Sequence, residues 1–230
     1  MSYVDSWTPS ILEKRATSIK EYLAEKGLEA LAITDNLNFV YVTGFFIDVA
    51  PWERPVVAVI PRDGEPFMAL CELSTNHVRL ALEQGRGWIK DIHFYTEHPR
   101  QMNRLYTVQE WSTLVSEILR EKRLVKGKIG VDSNPQALER RLKPQLPDVN
   151  FEDASRLLRE MRVAKCEEEL DLIRKAGAIS DWGQIRYKDA ITVGKRWIEL
   201  NAEVSYLMAK EAAERYPDYQ VNVSAGGTGM

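Results

Sequence analysis

The chain has 230 residues, 44% of them hydrophobic and 28% charged, which is enough for one large or two modest domains around a sizeable core. Its 31 Lys and Arg against 34 Asp and Glu leave a net charge of −3, so neither a nucleic-acid footprint nor an anionic-membrane anchor is indicated. No apolar run long enough to span a bilayer is present, the opening MSYVDSWTPS carries no secretion signal, and Cys71 and Cys166 form no CxxC pair; these features point to a cytoplasmic protein without a disulfide framework or thiolate zinc site.

The first expected element is a helix from Pro9 to Lys26, where Leu12, Ala16, Ile19 and Leu23 recur at helical spacing and Gly27 supplies the stop. The period then changes. EALAIT (29–34) reads as a buried strand and NFVYVTGFF (38–46) as a second strand broken at Gly44. PVVAVIPRDGEPFMAL (55–70) reads as a hairpin, because Asp63-Gly64 suits the positive φ of a tight turn between two apolar runs. A mixed helix around Glu72 to Glu83, a strand DIHFYT and an amphipathic helix bearing Val108, Trp111, Val115 and Ile118 follow. GKIGVD (127–132) is another strand, Asn134-Pro135 opens a helix, and a short strand from Val149 to Glu152 leads to a helix capped by Asp153. Strands and helices alternate throughout, so residues 1–155 are expected to form one α/β domain on a mixed sheet.

Residues 156–230 have a different character. Leu172, Ala176 and Ile179 lie at helical spacing, and Glu167 to Glu169 fall in the first turn, where negative charge suits the helix dipole. Gly194 marks a break before a second helix with Trp197, Leu200, Val204, Leu207 and Met208 on one face. Two such helices cannot cover both apolar stripes against each other, so further structure is expected, beginning with a strand at DYQVNVSA and a glycine turn at SAGGTGM.

Catalytic motifs are scarce. His77, His93 and His98 occupy no HExxH arrangement and read as partly exposed structural residues; Glu167 to Glu169 read as a solvated helix start. SAGGTGM lacks the lysine of a phosphate-binding loop, and no GxSxG occurs. One loop stands apart: FFIDVAPWERPVV (45–57) holds Asp48, Trp52, Glu53 and Arg54 between two stiffening prolines. A planar guanidinium beside a large aromatic suits recognition of a small carboxylate; the same residues also suit an Arg54–Glu53 surface pair above a packed Trp52.

Four stretches together resemble the creatinase, aminopeptidase P and prolidase family of pita-bread enzymes. ITDNLNFVYVTGF (33–45) is similar to the family's early segment with an Asn before an aromatic and a Gly after Thr, and KIGVDSN lies where the family has Ile-Gly plus an acidic residue. In MRVAKCEEELDLIRKAGAISD, Arg162, Lys165, Glu169, Ile173 and Ala176 match the interdomain Arg-x-x-Lys-Ser-x-x-Glu pattern, with Cys166 in place of Ser; TVGKRWIELNAEVSYLMAKEAAE resembles the following Gly-x-x-Glu helix through Gly194 and Glu199.

The resemblance implies a mixed-sheet creatinase-like N-terminal domain followed by the beginning of an α+β pita-bread catalytic domain, incomplete in these residues. It further implies an Xaa-Pro peptidase type of hydrolase in which two divalent metals (Mn, Co or Zn) are held by Asp, His and Glu ligands located after the stretch that VNVSAGGTGM matches. None of those ligands is expected within these 230 residues. Creatinase-like members work without metal on small carboxylate-bearing metabolites, and a noncatalytic dimerisation and substrate-gating role is a third expectation. Family members are dimers in which the first domain of one subunit reaches the catalytic site of the other, so a homodimer with a small peptide or small-molecule substrate is expected. Trp52 and Arg54 match the loop that carries the substrate-contacting aromatic and Arg.

Overall fold

The computed structural model describes residues 9–45, 54–83, 85, 87–96 and 104–217. They divide into two compact units, one ending at Ala164 and the other beginning at Lys165. In chain order the first contains α1 (Pro9–Lys26), β1 (Ala30–Ile33), α2 (Asn36–Thr43), β2 (Val57–Pro61), β3 (Phe67–Cys71) and a 3₁₀ turn (Glu72–Ser74) into α3 (Thr75–Glu83). Then come β4 (Asp91–Tyr95), α4 (Arg104–Glu121), β5 (Gly127–Val131), α5 (Pro135–Leu142), β6 (Val149–Asp153) and α6 (Ser155–Met161).

The described strands form one sheet in the order β4-β3-β2-β1-β5-β6. β2 runs antiparallel to both β1 and β3, and the other neighbours are parallel. This is the expected mixed α/β fold. The β2–β3 hairpin turns at Gly64, whose φ of 107° no side-chain-bearing residue adopts readily. β1 is apolar along its whole length, as a strand must be when both faces of its sheet are covered. On one face Ile19 and Leu23 of α1, Phe39 and Val42 of α2, Val78 of α3 and Leu157 and Leu158 of α6 pack on Leu31, Ile33, Ala58 and Ile60. On the other, Trp111, Val115 and Ile118 of α4 and Leu138 and Leu142 of α5 pack on Ala30, Ala32, Val59, Ile129 and Val131. Each fully buried side chain of this size contributes about 1.5–3 kcal/mol relative to exposure, so a sheet covered twice is well supported.

One expected element is corrected: the strand expected over 38–46 is replaced at 38–43 by helix, since 36–43 form α2, and Phe46 lies outside the described residues. β-branched and aromatic residues here favour a pleated surface only where a sheet edge is available, and tertiary packing overrides that preference. Asp35 sets the start, its Oδ1 accepting from Leu37 N at 3.1 Å and Asn38 N at 3.0 Å. Gly44 sets the end in the left-handed region (φ 70°), its N–H bonding Val40 O, and a Cβ there would lie 2.7 Å from Leu12 Cδ1 of α1. Asp153 acts slightly later than expected: its Oδ1 accepts from Ser155 N at 2.9 Å while Ala154 holds the capping position of α6.

The second unit contains α7 (Glu167–Ala190) and α8 (Trp197–Arg215), with Gly194 at φ 88° between them. Glu169 Oε2 accepts from Cys166 N at 2.9 Å and Glu199 Oε2 from Arg196 N at 3.0 Å, so each glutamate closes the first turn of its own helix. Leu200 and Val204 are buried against Tyr187, Ala190 and Met208. Gly183 lets the helices approach, since a Cβ there would run into the Met208 side chain. Ile173, Ile185, Ile191, Trp197, Ile198 and Tyr206 remain exposed. The strand expected at DYQVNVSA and the glycine turn lie outside the described residues. No described helix is long and apolar enough to cross a membrane.

Candidate functional site

β1 and β5 are adjacent and parallel, but the helices that follow them leave toward opposite faces of the sheet, α2 with one core and α5 with the other. Strand order and helix side therefore open a crevice beyond the carboxyl ends of β1 and β5, the place where open α/β sheets bind ligands. In this protein the centre of that crevice is filled from within.

Asp132 follows β5 directly and is 2% exposed. Its Oδ1 accepts from Thr34 N (2.8 Å) and Thr34 Oγ1 (3.2 Å), and its Oδ2 accepts from Asp35 N (3.2 Å) and Asn38 Nδ2 (3.0 Å). Asn38 turns its carbonyl oxygen outward to accept from Arg162 Nη1 at 3.0 Å. Only one orientation of the amide satisfies both neighbours, since the carboxylate can only accept and the guanidinium can only donate. Burial pushes the Asp132 carboxyl up to about 6, and the bonds from Thr34, Asn38 and Asp35 oppose that rise without cancelling it.

Both carboxylate oxygens are thus committed to four donors. Asp132 ties the loop after β1 to the end of β5 and, through Asn38, holds Arg162 two residues before the unit's last residue. Asn38, Asp132 and Arg162 belong to three separate sequence motifs, and their meeting is what sequence reading misses. The single readable signal was the position of an acidic residue at the carboxyl end of an apolar strand.

Two cavities flank this lock. The larger, about 610 Å³, is lined among others by Asp35, Asn38, Asp132, Asp153, Arg159 and Arg162. Two of its carboxylates serve backbone groups: Asp35 caps α2, and Asp153, held below its ordinary pKa by Ser155, accepts from the Ser155 N–H just ahead of α6. The smaller, about 250 Å³, lies against α4 and α5 and is lined by Thr34, Asp35, Pro55, Val56, Trp111 and Arg141, among others.

Of the two residues singled out in the loop, Trp52 lies outside the described residues. Arg54 is half-buried and immediately precedes Pro55 and Val56 at the rim of the smaller cavity. His77 is exposed, His98 lies outside the described residues, and His93 Nε2 meets Asp91 Oδ1 at 2.6 Å. Burial raises the Asp91 pKa, but Lys122 and His93 outweigh it and hold the carboxyl below its ordinary value. Among the described residues no three His, Cys, Asp or Glu side chains are placed to hold a metal ion. Neither Cys71 nor Cys166 is in a disulfide, and burial raises the Cys166 pKa.

A six-stranded mixed sheet covered by helices on both faces defines an α/β domain. Residues 15–164 match the creatinase/prolidase N-terminal domain, and the chain belongs to that family. It is 26% identical over 213 residues to the creatinase of Bacillus sp. (strain B-0618), covering 90% of this chain and 46% of that protein. It is 24% identical over 218 residues to the Xaa-Pro dipeptidase of Pyrococcus horikoshii, covering 94% of this chain and 53% of that one. The dipeptidase PepE from Mycobacterium ulcerans has the same fold, with a TM-score of 0.62 and 22% identity over 91% of this chain and 51% of that structure. The chain therefore spans about half the length of the relatives it matches.

Proposed function

We propose that this chain is the amino-terminal part of an Xaa-Pro dipeptidase-type, metal-dependent hydrolase whose metal ligands are supplied by sequence outside these 230 residues. The observation that carries the reading is the family match over 15–164 together with similarity to an Xaa-Pro dipeptidase over 94% of the chain. On this reading the described residues position and shape, and they do not break bonds. The Asp132 lock makes the loop after β1 rigid, and Trp52 and Arg54 reach the substrate, the guanidinium fork taking its carboxylate. The assembled enzyme is a homodimer, with residues 156–230 forming the linker helix and the first part of its catalytic domain.

The test is hydrolysis of Xaa-Pro dipeptides by the gene's complete product with Mn²⁺ or Co²⁺. Turnover that chelation abolishes is expected, and absence of turnover with metal bound counts against the reading. Arg54→Ala is expected to raise KM by about tenfold or more with a smaller change in kcat, as loss of a charge-assisted contact to the carboxylate predicts.

A second reading is favoured by the similarity to creatinase over 90% of the chain: a metal-independent hydrolase of a small carboxylate-bearing metabolite. Activity that survives complete metal removal would select it.

A further inference from the structure

We propose that Asp132, Asn38 and Arg162 form a proton-operated latch, in which a proton arriving on Asp132 turns the Asn38 amide over and frees the Arg162 side chain. The three groups stand in a row. Asn38 is in the middle, its Nδ2 donating to Asp132 Oδ2 at 3.0 Å and its Oδ1 accepting from Arg162 Nη1 at 3.0 Å. A primary amide donates at one end and accepts at the other, so it joins an acceptor to a donor. While Asp132 is ionised it only accepts, and the row is complete. Once protonated, Asp132 has an O–H to donate, and the amide meets it by presenting its oxygen. The Asn38 NH₂ group then faces the guanidinium, donor against donor, and the Arg162 bond is lost. Arg162 is exposed, so the freed guanidinium passes to water at little cost.

The surroundings direct the proton to Oδ2. Oδ1 holds the shorter backbone bond, from Thr34 N at 2.8 Å, together with the Thr34 hydroxyl at 3.2 Å. Oδ2 has Asn38 and a longer bond from Asp35 N at 3.2 Å, and when protonated it keeps a lone pair for that N–H. Solvent reaches the carboxyl through the cavity of about 610 Å³ that Asp132 lines. The other charged groups on its walls are Asp35 after β1, Asp153 at the end of β6, Arg159 on α6 and Arg162; α2 and the start of α5 bring only the uncharged Leu37, Asn38, Pro135 and Gln136. Burial holds the Asp132 carboxyl up at about 6, which sets the latch to work between weakly acid and neutral conditions.

What the latch holds is the end of α6. Arg162 closes that helix with its N–H on Leu158 O at 3.1 Å, and the Tyr41 hydroxyl donates to Met161 O at 3.2 Å. Asn38 and Tyr41 lie one turn apart on the same side of α2, so this helix clamps the end of α6 at two adjacent points. Opening the latch removes the Asn38 clamp and leaves the Tyr41 bond. All of these residues belong to the first unit, and the inference does not rest on the peptidase reading.

The experiment is an NMR pH titration of the 230-residue chain labelled with ¹³C and ¹⁵N, following the Asp132 carboxyl carbon and the Arg162 guanidinium nitrogens. A distinct hydrogen-bonded Arg162 Nη signal is expected at neutral pH and is expected to disappear on acidification with the Asp132 midpoint. Asp132→Asn keeps a carbonyl on the shorter Thr34 bonds and turns an NH₂ group toward Asn38, so it is expected to show released Arg162 at every pH. Arg162→Met is expected to raise the Asp132 midpoint by about half a pH unit or more, because the closed row favours the ionised form. In an Asn38→Leu background, where no amide links the two groups, the same substitution is expected to move the midpoint less than half as far. An Arg162 signal indifferent to the Asp132 titration would place the proton on the Thr34 side and overturn the latch. So would Arg162 still bound in folded Asp132→Asn, or equal midpoint shifts with and without Asn38. The titration of the unsubstituted chain decides the matter if the Asn38 variant does not fold.

Discussion

The two units differ in what covers their apolar surfaces. In the first, β1 is sealed on both faces, and even its polar crevice is closed by Asp132 and its four donors. In the second, α7 and α8 bury Ile179, Leu200 and Val204 but leave Ile173, Ile185, Trp197 and Ile198 facing water. The lesson is that amphipathic spacing makes a helix but does not finish a core. A sheet offers two faces that helices can cover independently, whereas a helix pair shares a single seam.

The largest expected effect lies at the lock. Asp132→Ala leaves the Thr34 and Asp35 N–H groups and the Asn38 amide without their acceptor, and loss of such a buried network is expected to cost about 3–5 kcal/mol in urea denaturation. A cost below about 1 kcal/mol would show that the crevice tolerates water and would blur the contrast between the units.

The pH dependence of the first unit comes next. The Asp132 carboxyl sits at about 6 in the folded protein, above an ordinary carboxyl near 3.9, so the folded state retains a proton that the unfolded chain releases. The stabilising contribution of that raised pKa is complete below about pH 4 and is lost as pH rises through about 6, a change on the order of 3 kcal/mol. Asp132→Asn should remove this slope, which denaturation midpoints of the two proteins from pH 4 to 7 would reveal. Parallel curves would contradict it.

Gly44→Ala is a smaller perturbation. It forces a side chain into φ 70° and toward Leu12, and should cost about 1–3 kcal/mol. At the other extreme, Ile198→Ser on the exposed side of α8 should change stability by no more than about 0.5 kcal/mol while reducing self-association in sedimentation.

Much of the fold was legible where local rules act alone. α1 begins and ends where apolar spacing and Gly27 say it does, the hairpin turns at Asp63-Gly64, and α5 starts at Asn134, whose Oδ1 accepts from Ala137 N at 3.2 Å. α2 was misread because FVYV has strand chemistry, and only the cap at Asp35 and the fit of Gly44 against Leu12 make it helical. The lock was illegible for another reason. Asn38 lies 94 residues from Asp132 and 124 from Arg162, and no periodicity links such distant positions.

Amide hydrogen exchange on the 230-residue chain, resolved by residue, tests the contrast between the units most directly. The account predicts that β1 and β5 amides exchange only through the highest-energy opening, and that amides throughout α7 and α8 exchange orders of magnitude faster. Equal protection of the sheet and the helix pair would contradict it.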